Sequence, residues 1–199
     1  MHEHGSKRFS PKKMKKLDAP ERGQMQPPAP LVDALELDGQ TVVVDLGVGT
    51  GYFALPIAEA LDQRGGSGSV VGLDVSREML DEFEKRARNR ELGHRTTAVK
   101  VTGEGSLPLE EGIADRVIIV NTAHELDHRP QVWRHIRRAL KTGGFLLIVD
   151  WSPSGPFDHG PPADHRIGAE VLQQELVEAG FEVVPMNLYE RFYAIKARA

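Results

Sequence analysis

With 199 residues and 40% hydrophobic content, the chain can bury one core and is too short for two comfortable domains. Its apolar runs, Val117–Val120 and Phe145–Val149, are strand-sized, far below the ~20 residues of a membrane-spanning helix, and the absence of cysteine excludes disulfide staples, thiolate metal sites and thiol nucleophiles. The net charge of −4 is uneven: residues 1–30 hold seven Lys/Arg against three Asp/Glu, +4, which leaves −8 for the remainder. Such a basic arm reads as a solvated tail and does not imply nucleic acid; with no apolar leader behind it, a cytoplasmic protein is expected.

Pro27-Pro28-Ala29-Pro30 closes the arm, and Leu31–Leu37 has helical apolar spacing ending at Asp38-Gly39. The expected organisation is therefore an arm over 1–30, partly flexible or folding over the site, and one domain over 31–199. Thr41–Leu46 is a continuous apolar, β-branched run, as expected of a parallel strand covered on both faces. Alternation continues with a helix over about 52–63, a Gly/Ser turn at 65–68, a strand Val70–Asp74, a helix over 76–90 and a strand Ala98–Val101. The second half predicts a strand Arg116–Val120, a helix Gln131–Leu140 stopped at Gly143-Gly144, a strand Phe145–Asp150 and a helix Gly168–Ala179. Phe181–Leu188 and Phe192–Ala197 are separated by only Tyr189-Glu190-Arg191, too few residues for a crossover helix, so they predict an antiparallel hairpin. The whole is a Rossmann-like, doubly wound α/β fold with a mostly parallel seven-stranded sheet and a C-terminal antiparallel hairpin.

The loop Gly47-Val48-Gly49-Thr50-Gly51 lies between a buried strand and a helix, where missing side chains let the backbone turn sharply and approach a ligand. A dinucleotide fingerprint needs a small residue where Tyr52 stands, so an NAD(P)-dependent oxidoreductase is the runner-up. Asp74 ends the second strand, where a carboxylate can accept hydrogen bonds from both ribose hydroxyls; Ser76 already fills the helix-capping position that would otherwise explain it.

Through VVVDLGVGTGYF at 42–53, VVGLDVSREML at 70–80 and TGEGSLPLEEGIADRVIIVNTAHEL at 102–126, residues 30–199 resemble the class I S-adenosylmethionine-dependent methyltransferases. FSPKKMKKLDAPER at 9–22 resembles the leader of a bacterial and archaeal subgroup of small methyltransferases. The resemblance implies S-adenosylmethionine as cofactor. Asp45, Gly47 and Gly49 would embrace its methionine part, with Gly51 and Tyr52 completing the loop, and Asp74 would hold the ribose beside Val75 and Met79. Glu104, Gly105 and Ser106 would meet the adenine, and Asn121 and Thr122 would line the pocket at the end of the fourth strand.

His124-Glu125-Leu126-Asp127-His128 satisfies the H-E-x-x-H expression of zinc proteases, but it follows a buried strand and precedes Arg129-Pro130, which disfavours helix just before the proline. No metal is therefore expected. As methyltransferase residues, His124 and Asp150 leave the fourth and fifth strands toward the reacting methyl; they are the candidate general bases, His124 first. An ordinary hydrogen-bonded side chain is the competing reading of His124. Asp158–Arg166 forms a second polar cluster, placed where such enzymes build a substrate lid. The reaction implied is methyl transfer to a small-molecule acceptor. The Asn-Pro-Pro-Tyr signature of base-amino methyltransferases is missing, and so are the cysteines a soft metalloid acceptor requires. Nucleic acid and membrane insertion are disfavoured, a homodimer is left open, and a non-catalytic cofactor-binding module stays as an alternative.

Overall fold

The computed structural model describes residue 14 and residues 19–102, 105–154 and 159–199. The element order is α1 (Pro20–Met25), α2 (Pro28–Ala34), β1 (Val42–Leu46), α3 (Ala54–Arg64), β2 (Ser69–Asp74), α4 (Arg77–Asn89), β3 (Thr96–Lys100), β4 (Ala114–Val120), α5 (Arg129–Ala139), β5 (Leu140–Trp151), α6 (Ala169–Glu178), β6 (Glu182–Met186) and β7 (Phe192–Arg198). The strands form one seven-stranded sheet in the order β3-β2-β1-β4-β5-β7-β6. β1 to β5 pair in parallel, and β7 runs antiparallel to both β5 and β6. The chain order reverses between β1 and β4, the switch point beyond whose strand ends ligands bind in such sheets.

Alternation within the strands feeds two cores, because successive side chains of a strand point to opposite faces. Val43 and Leu147 pack with Leu31, Leu35, Ile57, Leu61 and Phe83 on one face. Val44 and Ile148 pack with Trp133, Ile136, Leu172 and Leu176 on the other. In α5 the buried positions Val132, Trp133, Ile136 and Ala139 follow helical spacing, and arginines occupy much of the outer side. Among the described residues no helix is long and apolar enough to cross a membrane.

Three boundaries differ from the sequence expectation. The first long apolar helix covers Pro28–Ala34 instead of 31–37, since prolines in the opening turn remove only N–H groups that have no helical partner. α5 begins at Arg129, with Pro130 in its first turn; the proline thus starts the helix that was expected to begin at Gln131. β5 begins at Leu140, directly after α5. Its pairing with β4 jumps from Ala114↔Leu140 to Arg116↔Phe145, and the glycines expected to separate helix from strand lie within that irregularity.

Candidate active site

The glycine loop turns because its three glycines all have positive φ, 85°, 53° and 85° for Gly47, Gly49 and Gly51. A Cβ on Gly47 would collide with the Thr122 side chain, so the end of β4 fits against the loop only where no side chain intervenes. The N–H groups of Gly47 and Val48 donate to the Leu73 carbonyl at 2.8 and 3.0 Å, tying the loop to the end of β2.

Two carboxylates flank it. Asp74 accepts from the Gly49 N–H at 2.9 Å and the Ser76 N–H at 2.8 Å, and burial outweighs these bonds to leave its pKa raised. Ser76 caps α4 through the Met79 N–H, as expected. Asp45, 4% exposed at the end of β1, has its carboxyl pushed up to about 7, first by burial and then by the charge of Asp74, against an opposing pull from Arg22. Met79 is buried and Val75 half-exposed beside Asp74.

Glu104 lies outside the described residues, as does Asp158. Gly105, with φ of 73°, packs against Gln131 and His128 at the start of α5, and Ser106 beside it is exposed. Asn121 adopts φ of 55° at the end of β4. Its side chain forms a reciprocal amide pair with Gln26: Asn121 Nδ2 donates to Gln26 Oε1 at 2.8 Å and Gln26 Nε2 donates to Asn121 Oδ1 at 3.3 Å. The loop thereby acquires a cover from the arm. Tyr52 donates through its hydroxyl to the Gln26 carbonyl, and Tyr189 to the Pro27 carbonyl. The Arg22 guanidinium lies 4.0 Å from the Tyr52 ring centroid and 5.5 Å from that of Phe53. Reasoning from motifs missed Arg22 and Gln26, because a single arginine and a single glutamine in a polar arm carry no periodicity; the resemblance of the leader at 9–22 was the available signal.

His124 and Asp150 meet. Ala123–Glu125 is a short 3-10 turn after β4, and it lays the His124 ring on the end of β5. His124 Nδ1 lies 2.8 and 3.0 Å from the Asp150 carboxylate oxygens, which also accept the backbone N–H groups of His124 and Trp151. His124 is 6% and Asp150 1% exposed, and Glu125 Oε1 sits 3.7 Å from His124 Nε2. Burial pulls the imidazole pKa down, but the hydrogen bond and charge of Asp150, helped by Glu125, outweigh it, so the value ends raised. His128 instead caps α5 in a left-handed conformation, so the two histidines of the H-E-x-x-H string do not share a helix as a protease motif requires.

Tyr193, the cross-strand partner of Asp150, has a buried hydroxyl with no hydrogen-bond partner among the described residues. Nearby, Arg129 holds Glu175 through two nitrogens, at 2.7 to 3.2 Å, and Trp133 donates to the same carboxylate, which fixes α5 against α6. Arg166 donates to the Ser152, His159 and Pro161 carbonyls, folding the loop after β5 back over Trp151. The arrangement offers a glycine cradle between two carboxylates and, one strand further, a buried His–Asp dyad. The two carboxylates, as acceptors, suit a ligand with a ribose diol and a positively charged end.

The sequence profile of the methyltransferase domain matches residues 43–144. The chain is 31% identical over 123 residues to a demethylmenaquinone methyltransferase of Lactobacillus johnsonii, covering 61% of this chain and 49% of that protein. It is 33% identical over 126 residues to a ubiquinone/menaquinone biosynthesis C-methyltransferase of Syntrophotalea carbinolica, covering 63% of this chain and 50% of that protein. The chain thus spans about half the length of these curated relatives. A crystal structure of a SAM-dependent methyltransferase from Aquifex aeolicus superposes with a TM-score of 0.86 at 25% identity, covering 96% of this chain and 98% of that one.

Proposed function

The chain belongs to the methyltransferase domain family, and from that premise we propose that it transfers the methyl group of S-adenosylmethionine to a small-molecule acceptor whose proton is taken by His124. The observation that carries the proposal is the glycine cradle between Asp45 and Asp74 at the carboxyl ends of β1 and β2. When bound, S-adenosylmethionine supplies an electrophilic methyl on a sulfonium centre. Asp74 accepts the ribose hydroxyls, using carboxylate lone pairs beyond those that hold Gly49 and Ser76. Asp45 and the loop from Gly47 to Tyr52 receive the methionine end. Val75, Met79, Gly105 and Ser106 border the adenosine, while Asn121 and Thr122 close the strand-four side. Most of the chain's contribution is proximity and alignment.

The dyad gives the acceptor side its chemistry. Asp150, accepting at Nδ1, holds the imidazole in the tautomer whose Nε2 carries a lone pair. His124 takes the acceptor's proton at that nitrogen, and Asp150 and Glu125 stabilise the imidazolium that results. A base of this kind suits an acceptor with an acidic O–H or C–H. The names of the quinone methyltransferase relatives support such a class. The unpartnered hydroxyl of Tyr193 supplies a hydrogen bond to the same acceptor. We place the enzyme in the cytoplasm, acting on a metabolite and not on nucleic acid.

A thermal-shift and calorimetric panel tests the cofactor. S-adenosylhomocysteine should stabilise the protein and NADH should not, and Asp74→Ala should weaken S-adenosylhomocysteine by about tenfold or more, the value of hydrogen bonds to a charged group. Stabilisation by NADH instead would move the chain to the oxidoreductase class, and unchanged affinity in the variant would remove the ribose role from Asp74. Radiolabelled methyl transfer over a panel of phenols and enols then reads the acceptor.

A further inference from the structure

We propose that Arg22 of α1 binds the carboxylate of the cofactor's methionine end, so that the N-terminal segment supplies one half of the cofactor site. The inference rests on the S-adenosylmethionine reading above and gives a role to a residue that the sequence reading left without one. The methionine end carries an ammonium and a carboxylate on one carbon. A site that holds both must therefore present an anion and a cation side by side. Asp45 is the anion: it ends β1 at the glycine loop and is 4% exposed. Arg22 is the cation whose field reaches it, opposing the effect of burial on its carboxyl.

The placement of Arg22 is built and not incidental. Its guanidinium lies over the Tyr52 ring and beside that of Phe53 at the end of the loop, 4.0 Å from the Tyr52 centroid and 5.5 Å from that of Phe53. Stacking uses the face of a guanidinium, whereas a carboxylate is bound through its edge, so both contacts can hold at once. The segment carrying it is pinned at three points: the Gln26–Asn121 amide pair, the Tyr52 hydroxyl on the Gln26 carbonyl, and the Tyr189 hydroxyl on the Pro27 carbonyl. Gln26 is 1% exposed, although α1 buries none of its own residues. Polar contacts to the loop, to the end of β4 and to the β6–β7 turn thus hold a short helix whose apolar anchor is the half-buried Met25. They set the guanidinium over Tyr52 at the end of the glycine loop.

The test compares two ligands that differ in the carboxylate alone. Calorimetric titration of the full chain uses S-adenosylmethionine and its decarboxylated analogue, which keeps the sulfonium and the ammonium. The wild-type protein should prefer S-adenosylmethionine. Arg22→Ala should weaken S-adenosylmethionine by about tenfold or more, leave the decarboxylated analogue within about twofold, and so erase the preference; Arg22→Lys should restore part of it. Equal loss for both ligands would make Arg22 a scaffold for the segment and overturn the assignment, as would full affinity for S-adenosylmethionine in Arg22→Ala. A wild-type chain that binds neither ligand would overturn the cofactor reading itself, and this assignment with it. Thermal melts of both variants confirm that each is folded at the temperature of the titration.

Discussion

At the scale of single residues, the site is governed by burial acting on ionisable groups. His124 and Asp150 are both nearly inaccessible, and their hydrogen bond holds the imidazole pKa above its usual 6.5 despite burial, which acts the other way. A raised native pKa means that the protonated imidazole stabilises the fold below the unfolded value, and that this contribution is lost as pH rises through the native one. Proton acceptance requires the neutral ring, so activity should fall as pH drops through the same raised value. The acidic limb of kcat/KM against pH should therefore lie above 6.5 and move to lower pH in Asp150→Asn, where burial acts with less opposition. A limb that stays in place in that variant would show that another group titrates. The sequence marked both residues separately, by their positions at the ends of two strands. It could not show that they touch, because that contact depends on the 3-10 turn at Ala123–Glu125 that swings His124 across to β5.

At the scale of elements, the glycine loop shows how closely backbone and neighbour are matched. Gly47 combines φ of 85° with a position where a Cβ would strike Thr122, so Gly47→Ala meets both backbone strain and a collision. It should destabilise the fold by ~1–3 kcal/mol, read as a lower urea midpoint at unchanged slope; an unchanged midpoint would show that the loop relaxes freely. The loop was legible because strand, glycines and helix are contiguous in the chain. The starts of α5 and β5 were read less accurately. Pro130 disfavours helix before it in general, yet it opens α5, and Gly143-Gly144 fall inside a pairing irregularity of β5 where a helix-to-strand stop was expected. Pro130 stands where a proline is favoured, in the opening turn, because its missing N–H has no helical partner there, while the two glycines are taken up by the register shift between β4 and β5.

At the scale of the whole molecule, the sheet and its two cores carry stability, while the N-terminal segment is joined to them mainly by hydrogen bonds and stacking. α1 contributes no buried residue, whereas Leu31 and Leu35 just after it are fully buried. Removing residues 1–26 should therefore lower Tm by only a few degrees, because little apolar surface leaves the core. The same truncation should weaken S-adenosylhomocysteine binding at least as much as Arg22→Ala. A truncated chain that melts far lower would mean that the segment is part of the folding core. The sequence by itself determined the order of strands and helices, the antiparallel hairpin and the glycine loop, because hydrophobic periodicity and turn chemistry are local and survive in one dimension. Only the tertiary structure decided that His124 lies on Asp150 and that Gln26 clasps Asn121. It also brought Arg22 to the loop that holds Asp45. These pairs are separated by 26 and 95 residues in the two bonded cases; the first needs β4 and β5 paired side by side with the turn at Ala123–Glu125 between them, the second needs the N-terminal segment laid across the end of β4, and no local pattern encodes either.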